Sequence, residues 1–71
     1  MYYDLVESGK RIKALRKKHG LTQERLAEQL GIAVITVARI EIGNRGISID
    51  LAIELAVRFD TTLDYIFLGR E

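Results

Sequence analysis

Glycine punctuates this chain at Gly9, Gly20, Gly31, Gly43, Gly46 and Gly69, and proline is absent throughout. Helix stops must therefore come from glycine's access to the left-handed region, and helix starts from side-chain oxygens. From Asp4 to His19 the apolar residues Leu5, Ile12 and Leu15 lie at helical spacing, with lysines and arginines on the opposite face. Gly9 interrupts that pattern at a cost of about 1 kcal/mol relative to alanine, which predicts fraying of the first turns. Lys17, Lys18 and His19 suit the C-terminal end of the helix dipole, and Gly20 suits the left-handed position beyond it.

The same logic divides the rest of the chain. Thr22 is an N-cap, with Glu24 in the first turn of a helix over Gln23–Leu30 that turns Leu26, Ala27 and Leu30 inward and stops at Gly31. A third helix runs from Val34 to Ile42, with Val37 and Ile40 inward and Gly43 as terminator, and Asn44-Arg45-Gly46 form a turn. Ser48 caps a fourth helix to Phe59 in which Ile49, Ala52, Ile53, Ala56 and Phe59 share one stripe, and Thr62 caps a short fifth helix over Leu63–Leu68 that ends at Gly69. Val34 to Val37 is β-prone but short, and it continues into a helical pattern. Sustained two-residue alternation is absent, so the expected fold is all-α: one domain over residues 1–71, a compact five-helix bundle with looser ends at 1–3 and 70–71.

Composition removes whole classes of function. With no cysteine there is neither a disulfide framework nor a cysteine-bearing zinc site, and the single histidine, His19, excludes multi-histidine metal sites. The expectation is no cofactor and no metal. No apolar run is long enough to cross a membrane or to act as a secretory signal, which points to the cytoplasm and to no membrane partner. Ser8, His19 and several acids exist, but nothing places a nucleophile, a base and an orienting group together, so the chain is not expected to be an enzyme. The net charge of +1 hides an asymmetry. Residues 1–25 hold seven cations and three acids, a net +4, whereas residues 26–71 hold four cations and seven acids, a net −3. Such a dipole can orient a small domain toward a polyanion.

Residues 21–46 carry the functional signal. A helix of two turns, a glycine-bearing turn and a second short helix form the geometry of the helix-turn-helix, whose second helix projects its N-terminal side chains into a DNA major groove. The local requirements are a small residue where the helices cross, a residue tolerant of positive φ in the turn, an apolar plug after it, and inward apolar positions on the second helix. Ala27, Gly31, Ile32, and Val37 with Ile40 meet them.

The chain resembles the Cro-and-repressor type of helix-turn-helix protein, the Xre family. The resemblance is carried by Gly9-Lys10-Arg11-Ile12 with Leu15-Arg16, by Gly20-Leu21-Thr22-Gln23-Glu24 with Leu26-Ala27, and by Leu30-Gly31-Ile32. It continues through Thr36-Val37-Ala38-Arg39-Ile40-Glu41, Gly43 and Thr62-Leu63-Asp64, in register without gaps over residues 8–67. It implies a lambda-repressor-like bundle with the motif at about residues 22–42, acting as a sequence-specific regulator that represses or activates nearby transcription, with repression the expectation. By the same resemblance Gln23 binds a DNA phosphate, and Ala33, Val34, Ile35, Thr36 and Arg39 face the groove, with Arg39 matched to a guanine edge. Asn44 and Arg45, with the amides of Asn44 to Ile47, match a loop that grips DNA backbone. Arg16 and Glu41 match an internal salt bridge between the first and third helices.

Departures from the family pattern concentrate on one surface. Such proteins usually carry small or polar residues where this chain has Ala33, Val34 and Ile35, and often asparagine where it has Ile42. Leu51 and Val57 also stand where polar residues are common. An apolar tip can pack on thymine methyls, or it can serve a protein partner. The alternative function is thus a protein-interaction module on the same fold, such as an antitoxin or accessory regulator. One small domain makes few base contacts, which argues for a homodimer on duplex DNA, with its seam on the exposed apolar residues of the fourth and fifth helices. Tyr2 and Tyr3 are expected to cover the core or its edge, and Tyr65, Phe67 and Leu68 to pack or join the seam.

Overall fold

Four of the five helices begin on a side-chain oxygen that accepts from their own first turn. A computed structural model describes residues 3–70 and orders them as α1 (Leu5–Lys18), α2 (Gln23–Leu30), α3 (Val34–Glu41), α4 (Ile49–Arg58) and α5 (Leu63–Leu68). Asp4 caps α1, Thr22 caps α2, Ser48 caps α4 and Thr62 caps α5. α3 starts at Ala33 without such a bond. Gly31 ends α2 at φ +68, in the left-handed region where a side chain would be strained, and this reverses the chain tightly enough to bring α3 against α2. No strand occurs among the described residues.

The core is one cluster drawn from every helix: Ile12 and Leu15, Leu26 and Ala27, Val37 and Ile40, Leu55 and Phe59 at the end of α4, and Ile66. Leu21, Leu30, Ile32, Leu51, Tyr65 and Phe67 are half-buried against it. Ile32 thus plugs the motif's turn from the outside, and Ala27 is buried where α2 meets α3.

Three expectations require correction. The buried stripe of α4 is Ala52, Leu55 and Phe59, whereas Ile49 and Ile53 are exposed and Ala56 only half-buried. The stripe was shifted because α4 is apolar on two faces, and periodicity alone cannot say which of them meets the core. Leu5 is likewise exposed, lying in the first turn before α1 reaches the bundle. Gly9 does not mark a fraying turn. It is buried, and a Cβ there would collide with the carbonyl oxygen of Ile40 and stand 2.6 Å from that of Glu41, so α1 and α3 touch backbone to backbone.

The N-terminal segment is tied down more firmly than a loose end. The Ile47 amide donates to the Tyr3 hydroxyl (3.2 Å), and the Tyr3 ring packs edge-on against Phe67, with centroids 4.7 Å apart. The expectations for Met1, Tyr2 and Glu71 lie outside the described residues. At the other side of α1, the buried Ser8 hydroxyl donates to the Ile66 carbonyl (2.7 Å), and Arg11 donates to the carbonyls of Ile66 and Phe67, both at 3.1 Å. These bonds satisfy the open carbonyl end of α5, a six-residue helix too short to hold by itself. No helix among the described residues is long and apolar enough to cross a membrane.

Candidate nucleic-acid interface

The position of α2 relative to α3 is set by a buried polar network. Arg16 donates from Nε to Glu41 Oε2 at 2.6 Å and from Nη2 to Glu41 Oε1 at 3.0 Å, a bidentate pair with both side chains buried. Its remaining nitrogen, Nη1, donates to the Leu21 carbonyl at 2.8 Å, at the entry to α2. The Gln23 amide then donates to Glu41 Oε1 at 2.9 Å. One carboxylate thus joins α1, α2 and α3. The hydrogen bond to Glu41 holds the Arg16 guanidinium above its ordinary pKa, against the opposing effect of burial and with the charges of Glu41 and Glu24 adding to it.

This network changes the role available to Gln23. One of its amide hydrogens is engaged by Glu41, so a phosphate could be met only by the other, from a half-buried side chain held in one orientation. The loop after α3 needs a similar correction. The Asn44 amide donates to the Arg39 carbonyl (2.9 Å), and that of Ile47 is taken by Tyr3, so two of the four amides expected to face a ligand are already used within the fold. The side chains of Asn44 and Arg45 are exposed.

On α3 itself, Val37, Ile40 and Glu41 face the interior, and Ile35, Arg39 and Ile42 lie on the opposite side. Ala33 and Val34 are also exposed, and Thr36 is half-buried at the edge. The absence of a side-chain cap leaves the first amides of α3 open at its tip. Between Gly31 and Ile49 the charged residues are Arg39, Glu41 and Arg45, and Glu41 is buried on Arg16. The surface of this segment is therefore cationic, with apolar side chains between the charges. Reasoning from sequence expected Tyr3 at the core or its edge but missed that its hydroxyl holds the loop carrying Arg45, and it missed the bonds that Ser8 and Arg11 make to α5. The signal for Ser8 was present, since it shares the helical stripe of Ile12 and Leu15 where an apolar residue would otherwise stand.

Comparison with known proteins places this geometry. The helix-turn-helix family profile HTH_3 matches residues 12–66. An HTH-type transcriptional regulatory protein of Pyrococcus furiosus is 44% identical over 55 residues, which are 78% of this chain and 18% of that protein. An HTH-type transcriptional regulator of Methanocaldococcus jannaschii is 38% identical over 58 residues, 82% of this chain and 88% of that one. Among solved structures, the restriction-modification controller protein C.AhdI from Aeromonas hydrophila superposes with a TM-score of 0.80 at 36% identity, covering 90% of this chain and 97% of the other. The chain spans half or less of the length of several other curated relatives it matches. Sequence register, the α2–turn–α3 geometry and these likenesses agree: the chain belongs to the helix-turn-helix family.

Proposed function

We propose that this domain binds duplex DNA in a sequence-specific manner and regulates transcription, most simply as a repressor that occludes its site, with no catalytic role of its own. The observation that carries the reading is the outer face of α3, which is exposed, cationic at Arg39 and Arg45, and held in place by the buried Arg16–Glu41–Gln23 network. In this reading α3 enters the major groove, Arg39 presents its planar fork to the two acceptors of a guanine edge, and Thr36 reaches a base or the rim of the groove. Gln23, through its free amide hydrogen, and Arg45 meet phosphates on either side and fix the register. Ala33 and Val34 sit at the tip and face the groove, and Asn44 contacts the flank. A cytoplasmic setting suits this role.

The test is a salt titration of binding to duplexes selected from a random pool. Affinity should fall steeply as salt rises, with a slope of about 0.9 per phosphate neutralised. Arg39→Ala should cost about 1–3 kcal/mol on the selected site and relax the preference at one base pair. An equal loss on every sequence would make Arg39 a phosphate contact instead. The exposed Val34 and Ile35 favour one second reading, a protein-interaction module, and failure to bind any duplex at low salt would establish that reading over ours.

The second apolar stripe supports a homodimer. Ile49, Ile53 and Val57 recur every four residues on the outer side of α4, with Val57 75% exposed. A shallow groove between α4 and α5, lined by Ala56, Thr61 and Leu63, continues the stripe. A self-complementary seam of this kind would set two α3 helices on half-sites about one turn of DNA apart. Sedimentation at tens of micromolar should show a dimer. Val57→Asp should weaken it by roughly tenfold or more while the helical circular-dichroism spectrum stays that of wild type, because Val57 is 75% exposed and lies outside the core, and the melting temperature should lose its dependence on protein concentration. A wild-type monomer would overturn the seam.

A further inference from the structure

Two apolar stripes face outward on this small domain, and their charged surroundings differ. Beside Ile49, Ile53 and Val57 stand Asp50, Asp60 and Glu54, the last paired with Arg58 at 3.9 Å, so two acids remain unbalanced there and disfavour phosphate. Around Ile35, which is 54% exposed, the exposed charges of the segment are Arg39 and Arg45. An apolar side chain framed by cations suits a polyanion that carries apolar groups of its own. In the major groove the one such group on a base edge is the C5-methyl of thymine. Guanine, cytosine and adenine present donors and acceptors there, and covering those with isoleucine would leave them unpaired at a free-energy cost.

We infer that Ile35, backed by Val34, reads thymine methyl groups beside the guanine read by Arg39, so that the preferred half-site has thymine one or two base pairs from that guanine. Ile35 and Arg39 are four residues apart on the same face of α3, about 6 Å along its axis, against about 3.4 Å per base step. A side chain at each position therefore falls on adjacent or next-adjacent pairs. The inference rests on the proposal that α3 reads DNA, and it adds which base the apolar tip selects.

The experiment uses the duplex selected by the intact chain, prepared once with thymidine and once with deoxyuridine, which lacks only the methyl. Wild-type affinity should fall about fourfold for each contacted methyl removed, the equivalent of about 0.8 kcal/mol per buried carbon. Ile35→Ala should bind the thymidine duplex correspondingly more weakly and be indifferent to the exchange. Its melting curve should match wild type, since the side chain lies outside the core. Equal wild-type affinity for both duplexes overturns the inference and leaves DNA binding intact. An undiminished uridine effect in Ile35→Ala also overturns it, because the protein would then be sensing duplex shape. A change of oligomeric state in Ile35→Ala with unchanged DNA affinity would assign the tip to a second copy of the chain. No binding to any duplex at low salt removes both the inference and the function beneath it.

Discussion

Arg16→Ala is expected to lower the stability of the domain by about 3–5 kcal/mol, because it strands a buried carboxylate. Arg16 supplies Glu41 with two hydrogen bonds and the Leu21 carbonyl with a third, and its removal leaves Glu41 only the Gln23 amide. Total stability at this size is on the order of 4–10 kcal/mol, so much of the folded population is at stake. The melting temperature should drop by about 4–8 °C for each kcal/mol lost. Replacing both partners, Arg16→Met with Glu41→Leu, should recover most of the loss, since an apolar pair needs no buried partner for its charge. The double variant should nevertheless bind DNA more weakly than wild type, because Gln23 is then free to rotate. Arg16 has a raised pKa, so its contribution persists below the ordinary arginine value and fades only as pH rises through the still higher folded value. Its own titration therefore leaves stability near neutral pH unchanged. An Arg16→Ala protein that melts with wild type would overturn this account of the network.

What could be read from sequence, and what could not, follows the range of the interactions. The caps Thr22, Ser48 and Thr62 and the stop at Gly31 act within three or four residues of themselves, and each stands where residue type alone puts it. The choice between the two apolar faces of α4 depends on where α5 and the rest of the core lie, and spacing along α4 holds no information about that. The same holds for the interface. That Arg39 and Ile35 lie on the outer side of α3 was legible, because helical spacing from the inward Val37 and Ile40 fixes it. That the amides of Asn44 and Ile47 are already engaged depends on Arg39's carbonyl and on Tyr3, the latter 44 residues distant in sequence. Local grammar gives the elements and the motif. Long-range hydrogen bonds decide which of the motif's polar groups remain free to meet a ligand.

Gly9 is where these two levels disagree in sign, and Gly9→Ala distinguishes them. Helix propensity alone predicts that alanine stabilises the middle of α1 by about 1 kcal/mol. The packing predicts the reverse. The added methyl would meet the carbonyls of Ile40 and Glu41, with the Glu41 carbonyl carbon only 2.9 Å away, and these are backbone atoms that no rotamer change can move aside. Overpacking against fixed atoms costs about 1–3 kcal/mol and sometimes more, and here three backbone atoms are crowded at once. Crowding three backbone atoms puts the cost at the top of that range, so after the propensity gain the net loss should be about 2 kcal/mol, a fall of about 8–16 °C in melting temperature. The strain falls on the carbonyl of Glu41, the residue that holds Arg16 and Gln23, so α3 would shift relative to α2. DNA affinity should therefore fall more than the folded fraction accounts for when binding is measured at a temperature where the variant is folded. Ala14, exposed on the same helix, supplies the control. Ala14→Gly should cost only the intrinsic propensity difference, about 1 kcal/mol, and leave DNA binding unchanged. A Gly9→Ala protein more stable than wild type would mean that α1 and α3 do not approach as closely as this fold requires.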